Sequence, residues 1–201
     1  QAKDKPDFLR GKSYRDVAKT INFGLAYGMS EFKLADTLSI TPEEAKKFID
    51  KYFEALPGIK NFLRKLGDYG KKNGYIRTFR PFRRIRWFED WDKLSTYTRR
   101  DRSIRLGEIE RASKNTPIQG TGADMIKLSL ALMYEHIRDC NLFDRVKLIT
   151  QVHDEIGCEV REDFVDQWVD TQRTIMELAG KRICKDVNMV VDYTVTDEWT
   201  K

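Results

Sequence analysis

Apolar positions near the start of the chain recur at helical spacing. Val17, Ala18, Ile21 and Leu25 share one face of residues 13–27, which predicts an amphipathic helix. Thr41-Pro42-Glu43-Glu44 reads as a helix start, with a capping threonine, a proline at the first helical position and Glu44 placed for a capping box. Ala45, Phe48, Ile49, Tyr52 and Phe53 carry that helix to about Ala55, where Pro57-Gly58 breaks it. Ile59, Phe62, Leu63 and Leu66 predict another helix that closes on Asn73-Gly74 in a left-handed cap. Residues 75–104 show no clean period. Beyond them a helix is predicted from about Arg105 to Asn115, interrupted by Pro117. A longer one follows Thr121 and reaches about Arg138, with Met125, Leu128, Leu132 and Met133 facing inward. Thr121 is expected to cap it, with Asp124 at its third position. Two short apolar strands, 146–152 and 156–160, meet at His153-Asp154-Glu155; a helix over about 163–181 and a last strand near 189–195 complete the order. The fold class is α+β, α-rich with a small antiparallel sheet so thin that it calls for a further strand.

Composition narrows the class. With 40% apolar and 34% charged residues among 201, the chain can bury a core beneath a heavily charged surface. It contains no run of about 18 apolar residues, so no membrane-spanning helix is expected, and no secretion signal is visible. Cys140, Cys158 and Cys184 are odd in number and widely spaced, which argues against a disulfide scaffold or a Cys-x-x-Cys zinc knuckle. They favour a reducing compartment, hence an intracellular, cytoplasmic protein. His136 and His153 alone cannot make a His-rich metal site. Thirty-seven Lys and Arg against 32 Asp and Glu leave a net +5, a mild pointer to a polyanionic partner. The chain opens on Gln1 rather than Met, so it is expected to be a piece of something longer.

Two constellations carry candidate chemistry. Arg15, Lys19, Phe23 and Tyr27 recur every four residues, and each step of four drifts about 40° on a helix, so they sweep one broad stripe. Two cations followed by two rings suit a nucleotide, the cations neutralising phosphates and the rings offering flat faces. An ordinary amphipathic helix with solvated cations and core-edge aromatics would give the same spacing. The second constellation is the tip His153-Asp154-Glu155. Strands on both sides hold an aspartate rigidly there, and a hard ion such as Mg²⁺ takes one or two protein carboxylates plus substrate phosphates. The plainer alternative is that Asp and Glu are simply turn residues.

The string RDVAKTINFGLAYGMS resembles the signature that opens the fingers subdomain of family A, DNA polymerase I-like, DNA polymerases: Arg15, Lys19, Phe23, Tyr27 and Gly28 match each position. The resemblance implies that Arg15 and Lys19 bind the triphosphate of the incoming deoxynucleoside triphosphate, Lys19 also serving as a general acid. It further implies that Phe23 packs on sugar and base, discriminating against a sugar without its 3′-hydroxyl, and that Tyr27 stacks near the templating base. Gln151-Val152-His153-Asp154-Glu155 resembles the palm motif of the same family. Asp154 thereby becomes one of two aspartates holding two catalytic Mg²⁺ ions, with His153 at the primer terminus and Glu155 assisting the metal. NTPIQGTGAD resembles the segment that sets Arg111, Asn115 and Gln119 against the minor groove of primer and template. Acceptors there are alike in every base pair, so pairing geometry is checked without reading sequence. Pro117 is expected to keep Gln119 off the regular helix carrying the other two.

On this resemblance residues 1–12 are a polar lead-in, 13–104 an α-rich fingers subdomain with an arginine–aromatic segment, and 105–201 the carboxy-terminal part of a palm. The family's Gly-Arg-Arg-Arg-like turn reads Arg80-Pro81-Phe82-Arg83-Arg84 here, and residues 87–105 are irregular against the family. That stretch is either close to DNA or a packed structural excursion. The family's first palm motif, an Asp-Tyr-Ser-like strand with the other metal-binding aspartate, has no counterpart in residues 1–13, and no thumb is present. The expected partners are therefore primer–template DNA, deoxynucleoside triphosphates and an amino-terminal polymerase portion that completes the sheet. Without that portion the chain is not expected to extend primers. A bacterial or phage-infected cell is the expected setting. The alternatives are a single-subunit RNA polymerase-like enzyme and a catalytically silent DNA-binding module.

Overall fold

The computed structural model describes residues 14–198, so the predicted lead-in lies outside the described residues. The chain divides into two compact units, one formed by residues up to 78 with 84–118, the other by 79–83 with residues from 119 onward.

The first unit begins with α1 (Tyr14–Ala26), α2 (Glu31–Leu38), α3 (Pro42–Ala55) and α4 (Pro57–Asn73). Val17 from α1, Leu34, Ala35 and Leu38 from α2, and Ala45 from α3 form one buried cluster, with Ile21, Met29, Ile40 and Ile49 packed on it. Helix α2 was not foreseen because eight residues are too few to establish a period. Its signals are local: the Ser30 hydroxyl accepts from the Lys33 N–H, and Ser39 closes it in the left-handed region at φ 57°. The predicted capping box of α3 is present, since the Glu44 N–H donates to the Thr41 hydroxyl (3.2 Å) and the Thr41 N–H to the Glu44 carboxylate (2.9 Å). Hydrogen bonds from the Thr41 N–H and then the Thr41 hydroxyl (3.0 Å) hold the Glu44 carboxyl below the usual carboxylate range. Gly74 ends α4 at φ 75°, as its position predicted.

The stretch without a period is ordered. Strands β1 (Tyr75–Arg77) and β2 (Ile85–Trp87) pair antiparallel, three residues each, too short to print an alternation on the sequence. Downstream, Phe88 and Leu94 are buried with Ile76 and Ile109, and the Trp91 indole N–H donates to the Lys71 carbonyl at 2.8 Å. Phe88, Trp91 and Leu94 thus anchor residues 88–97 to the unit, while most of the side chains between them are exposed.

Helix α5 (Arg99–Asp139) corrects two expectations. Pro117 does not interrupt it, and Thr121 and Asp124 are interior helical residues rather than a cap and its third position. An interior proline forfeits one helical hydrogen bond and costs about 3 kcal/mol. Burial on both sides offsets this: Ile109, Ser113 and Pro117 itself are buried in or at the edge of the first unit, and Ser129, Met133 and Ile137 in the second. The Thr121 hydroxyl accepts from the Phe79 N–H (2.9 Å) instead of capping. In the first unit a Cβ on Gly70 would collide with the Ser113 side chain, so α4 and α5 approach closely there. Glu110 fastens the same pair, 2.6 Å from the Lys114 ammonium and 2.9 Å from that of Lys71. Hydrogen bonds from Lys114 and then Lys71 lower the Glu110 pKa, and the bond to Glu110 raises that of Lys71.

In the second unit β3 (Val146–Val152) and β4 (Glu155–Val160) form an antiparallel hairpin, followed by a 3-10 turn at Glu162–Phe164 and α6 (Val165–Ile183). Met133, Ile137, Val146, Ile156, Phe164 and Trp168 are its core. Gln172 ties α6 to β4: its Oε1 accepts from the Trp168 indole (2.9 Å), and its amide donates to the Ile156 carbonyl (3.0 Å). The predicted last strand is absent, because residues 189–195 pair with no strand among the described residues. An apolar stretch without a ladder partner has no strand to join, and Val190 is 72% exposed. The fold is α+β, as expected, with two small antiparallel sheets. No helix among the described residues is long and apolar enough to cross a membrane.

Candidate nucleotide and nucleic-acid site

Helix α1 turns its apolar positions inward, with Val17 and Leu25 buried, and that orientation fixes where the stripe points. Arg15 and Lys19 are exposed, Phe23 is half-exposed, and Tyr27 is partly buried. The Phe23 and Tyr27 rings lie nearly parallel, 6° between planes and 6.1 Å between centroids, with the Lys19 ammonium 5.9 Å from the Phe23 centroid. Lys19, Phe23 and Tyr27 thus form a continuous surface running from cation to ring, with Arg15 exposed four residues before Lys19. Gly28 follows in the left-handed region at φ 77°, where a Cβ would come within 3.3 Å of the Arg111 side chain. The end of the stripe and Arg111 are therefore close neighbours within the first unit.

Arg111, Asn115 and Gln119 all lie on α5, which corrects the expectation that Pro117 would take Gln119 off the helix. Their spacing of four puts them along one side of it. Arg111 and Gln119 are exposed; Asn115 is half-buried, and its Oδ1 is shielded from solvent with no hydrogen-bond partner. Glu110, which the sequence reading missed, immediately precedes Arg111. Its signal was the Glu110/Lys114 pair at i,i+4, a spacing that joins opposite charges on a helix.

The carboxylates occupy the tip of the β3–β4 hairpin. Val152 pairs with Glu155, leaving a turn of only His153 and Asp154, with His153 at φ 53°. The Gln151 side-chain amide donates to the His153 carbonyl at 2.7 Å and braces the turn. His153, Asp154 and Glu155 are exposed. Two adjacent carboxylates are hard oxygen donors of the kind Mg²⁺ prefers, so their chemistry fits the ion. Among the described residues no three His, Cys, Asp or Glu side chains gather as a metal site, so a ligand set built on this tip would draw its further oxygens from elsewhere.

The chain matches the model of DNA polymerase family A over residues 6–201. It is 33% identical over 185 residues to DNA polymerase I of Geobacillus stearothermophilus, covering 92% of this chain and 20% of that protein. It is 38% identical over 185 residues to DNA polymerase I of Caldicellulosiruptor bescii, again 92% of this chain and 20% of that protein. Among solved structures it is similar to the POL domain of Pol1 from M. smegmatis in complex with DNA primer-template and dNTP, with TM-score 0.70 and 34% identity over 82% of this chain and 27% of that one. The chain belongs to DNA polymerase family A. It spans about a fifth of the length of the curated relatives it matches.

Proposed function

We propose that this chain is the fingers and carboxy-terminal palm part of a DNA-directed DNA polymerase, which adds deoxynucleotides to a primer 3′-hydroxyl on a DNA template. The observation that carries this reading is the stripe along α1 and the turn after it, with two exposed cations and a half-exposed Phe23 on the side of the helix away from its core and the parallel ring of Tyr27, partly buried, just past the helix end. Residues 13–104 act as fingers and residues 105–201 as part of the palm.

Arg15 and Lys19 neutralise the triphosphate of the incoming nucleotide. Lys19 donates a proton to the departing pyrophosphate while Arg15 holds its charge. Phe23 packs on the sugar and base, and Tyr27 stacks beside the templating base. Arg111, Asn115 and Gln119 donate to the minor-groove edge of the nascent pair, and His153 touches the primer terminus. Asp154, assisted by Glu155, would hold Mg²⁺, which when bound would lower the cost of the charge that develops on the oxygens around the α-phosphorus. The remaining ligands come from an amino-terminal polymerase portion. A two-stranded hairpin and an unpaired stretch at 189–195 support this, since both leave room for a further strand. The exposed tip also argues against a structural role for Asp154, which makes no hydrogen bond or ion pair among the described residues.

The test is primer extension with Mg²⁺ by the chain joined to the amino-terminal part of a family A relative, compared with the chain alone. Extension by the joined protein and none by the chain alone is the expected result. Extension by the chain alone refutes the need for a second portion, and ribonucleotide incorporation in preference to deoxynucleotide favours the RNA polymerase alternative. A joined protein that binds DNA without extending it favours the silent module.

A further inference from the structure

Every residue of strand β2 is exposed, and its Trp87 is 66% exposed. A tryptophan is among the largest apolar side chains, so leaving it in water forfeits one of the largest burial gains a residue can make. Trp87 also does not stand by itself. Its ring is tilted 53° against that of Tyr75, its cross-strand partner, at 5.1 Å. Tyr75 meets Tyr69 of α4 edge-on at 5.6 Å, and the two hydroxyls are joined at 2.8 Å. The guanidinium of Arg77 lies 5.4 Å from the Tyr75 ring centroid. Lys65 and Lys72, four residues before Tyr69 and three after it, share its side of α4; both are exposed and in no ion pair among the described residues. The acid between them, Asp68, is occupied with Lys71 at 3.3 Å and Arg64 at 3.9 Å. The result is a stepped aromatic surface, rigidly cross-linked to its helix and bordered by uncommitted cations.

We propose that this surface of the first unit binds single-stranded nucleic acid, with a base stacked on Trp87 and the sugar–phosphate backbone running past Lys65 and Lys72. Bases carry a flat π-face whatever their sequence, and phosphates repeat along the strand. A ring next to free ammonium groups therefore matches such a ligand without reading sequence. An apolar protein partner would match the ring but leave the lysines unsatisfied. The edge-on contact of Tyr69 and the hydroxyl pair hold Tyr75 in place, so the platform is formed before the ligand arrives. The inference adds a contact to the nucleotide and minor-groove residues above, and it rests on the polymerase reading only in that a single strand is then at hand.

The test is a fluorescence-anisotropy titration of the purified full chain with a labelled oligodeoxythymidylate at several salt concentrations. Trp87→Ala is expected to weaken binding about tenfold. Trp87→Phe, which keeps a flat ring, should stay within about twofold of the parent. The double substitution Lys65→Glu with Lys72→Glu should flatten the fall of log affinity with log salt by about one to one and a half units. Equal thermal melts for the parent and both Trp87 variants establish that the fold is intact. The proposal is overturned if the parent does not bind the oligonucleotide or if Trp87→Ala binds it equally well. It is also overturned if Trp87→Ala instead dissociates a dimer of the chain in sedimentation, which makes the surface a contact between copies. Nucleotide addition is not measured here, so a failed polymerase reading and a failed platform give separate results.

Discussion

Helix α1 and the β3–β4 tip both hold functional groups out to solvent, by opposite means. The helix closes its hydrogen bonds within thirteen residues, and its periodicity both buries Val17 and Leu25 and exposes Arg15, Lys19 and Phe23. The tip offers a single turn whose placement depends on a cross-strand ladder, on the core beneath it and on Gln151 bracing the His153 carbonyl. A stripe of four divides its function among several side chains, so that the loss of one leaves the others in place, whereas a two-residue turn concentrates it in one carboxylate. The two regions should therefore fail differently.

The largest effect is expected at the tip. Asp154→Ala in the protein joined to its amino-terminal portion should lower the single-turnover rate of nucleotide addition at least about 10³-fold, with DNA affinity retained. Rapid-quench kinetics with Mg²⁺ measures it, and a loss below tenfold would mean that the tip is not where the ion is held. Next come the two supports. Leu34→Ala, at a fully buried position beneath α1, should cost about 3 kcal/mol in urea unfolding. It should raise the nucleotide concentration needed for half-maximal rate more than Trp168→Ala does. Trp168→Ala, beneath the hairpin, should be at least as destabilising and should lower the rate itself. If the two variants affect both parameters alike, the two regions do not work separately. Gly28→Ala tests the junction with α5: a Cβ there meets both a left-handed backbone and the Arg111 side chain, and about 1–2 kcal/mol of stability should be lost.

The smallest expected effect concerns α3, which takes part in neither region directly. Thr41→Ala removes the side-chain half of the capping box and should cost about 1 kcal/mol in thermal or urea unfolding. Because the box holds Glu44 below the ordinary carboxylate range, its contribution is full above the ordinary glutamate pKa. It fades as the pH falls through the lower folded value. The gap between Thr41→Ala and the parent should therefore narrow on acidification through that window, by the share that the bond from the Thr41 hydroxyl to the carboxylate supplies.

What the sequence disclosed follows the same division. Periodicity and caps gave α1, α3, α4 and α6, because a helix states its hydrogen bonds and its buried face in consecutive residues. The resemblance singled out both functional regions from short strings. Three features were illegible for reasons particular to each. Helix α2 is too short to show a period, the β1–β2 hairpin has three residues a side, and the continuity of α5 through Pro117 is decided by the packing of Ser113 and Met133, far apart along the helix. The strand expected at 189–195 failed because local apolar character cannot create the neighbour that a ladder requires.

The claim on which the rest depends is that the exposed side of α1 receives the incoming nucleotide. Single-turnover addition measured across a range of deoxynucleotide concentrations, with Arg15→Ala and Lys19→Ala beside the parent, tests it most directly. Lys19→Ala is expected to lower the maximal rate about 10²-fold, and Arg15→Ala to raise the half-saturating nucleotide concentration. Parental values of both parameters in both variants would contradict the assignment of α1 as the nucleotide helix.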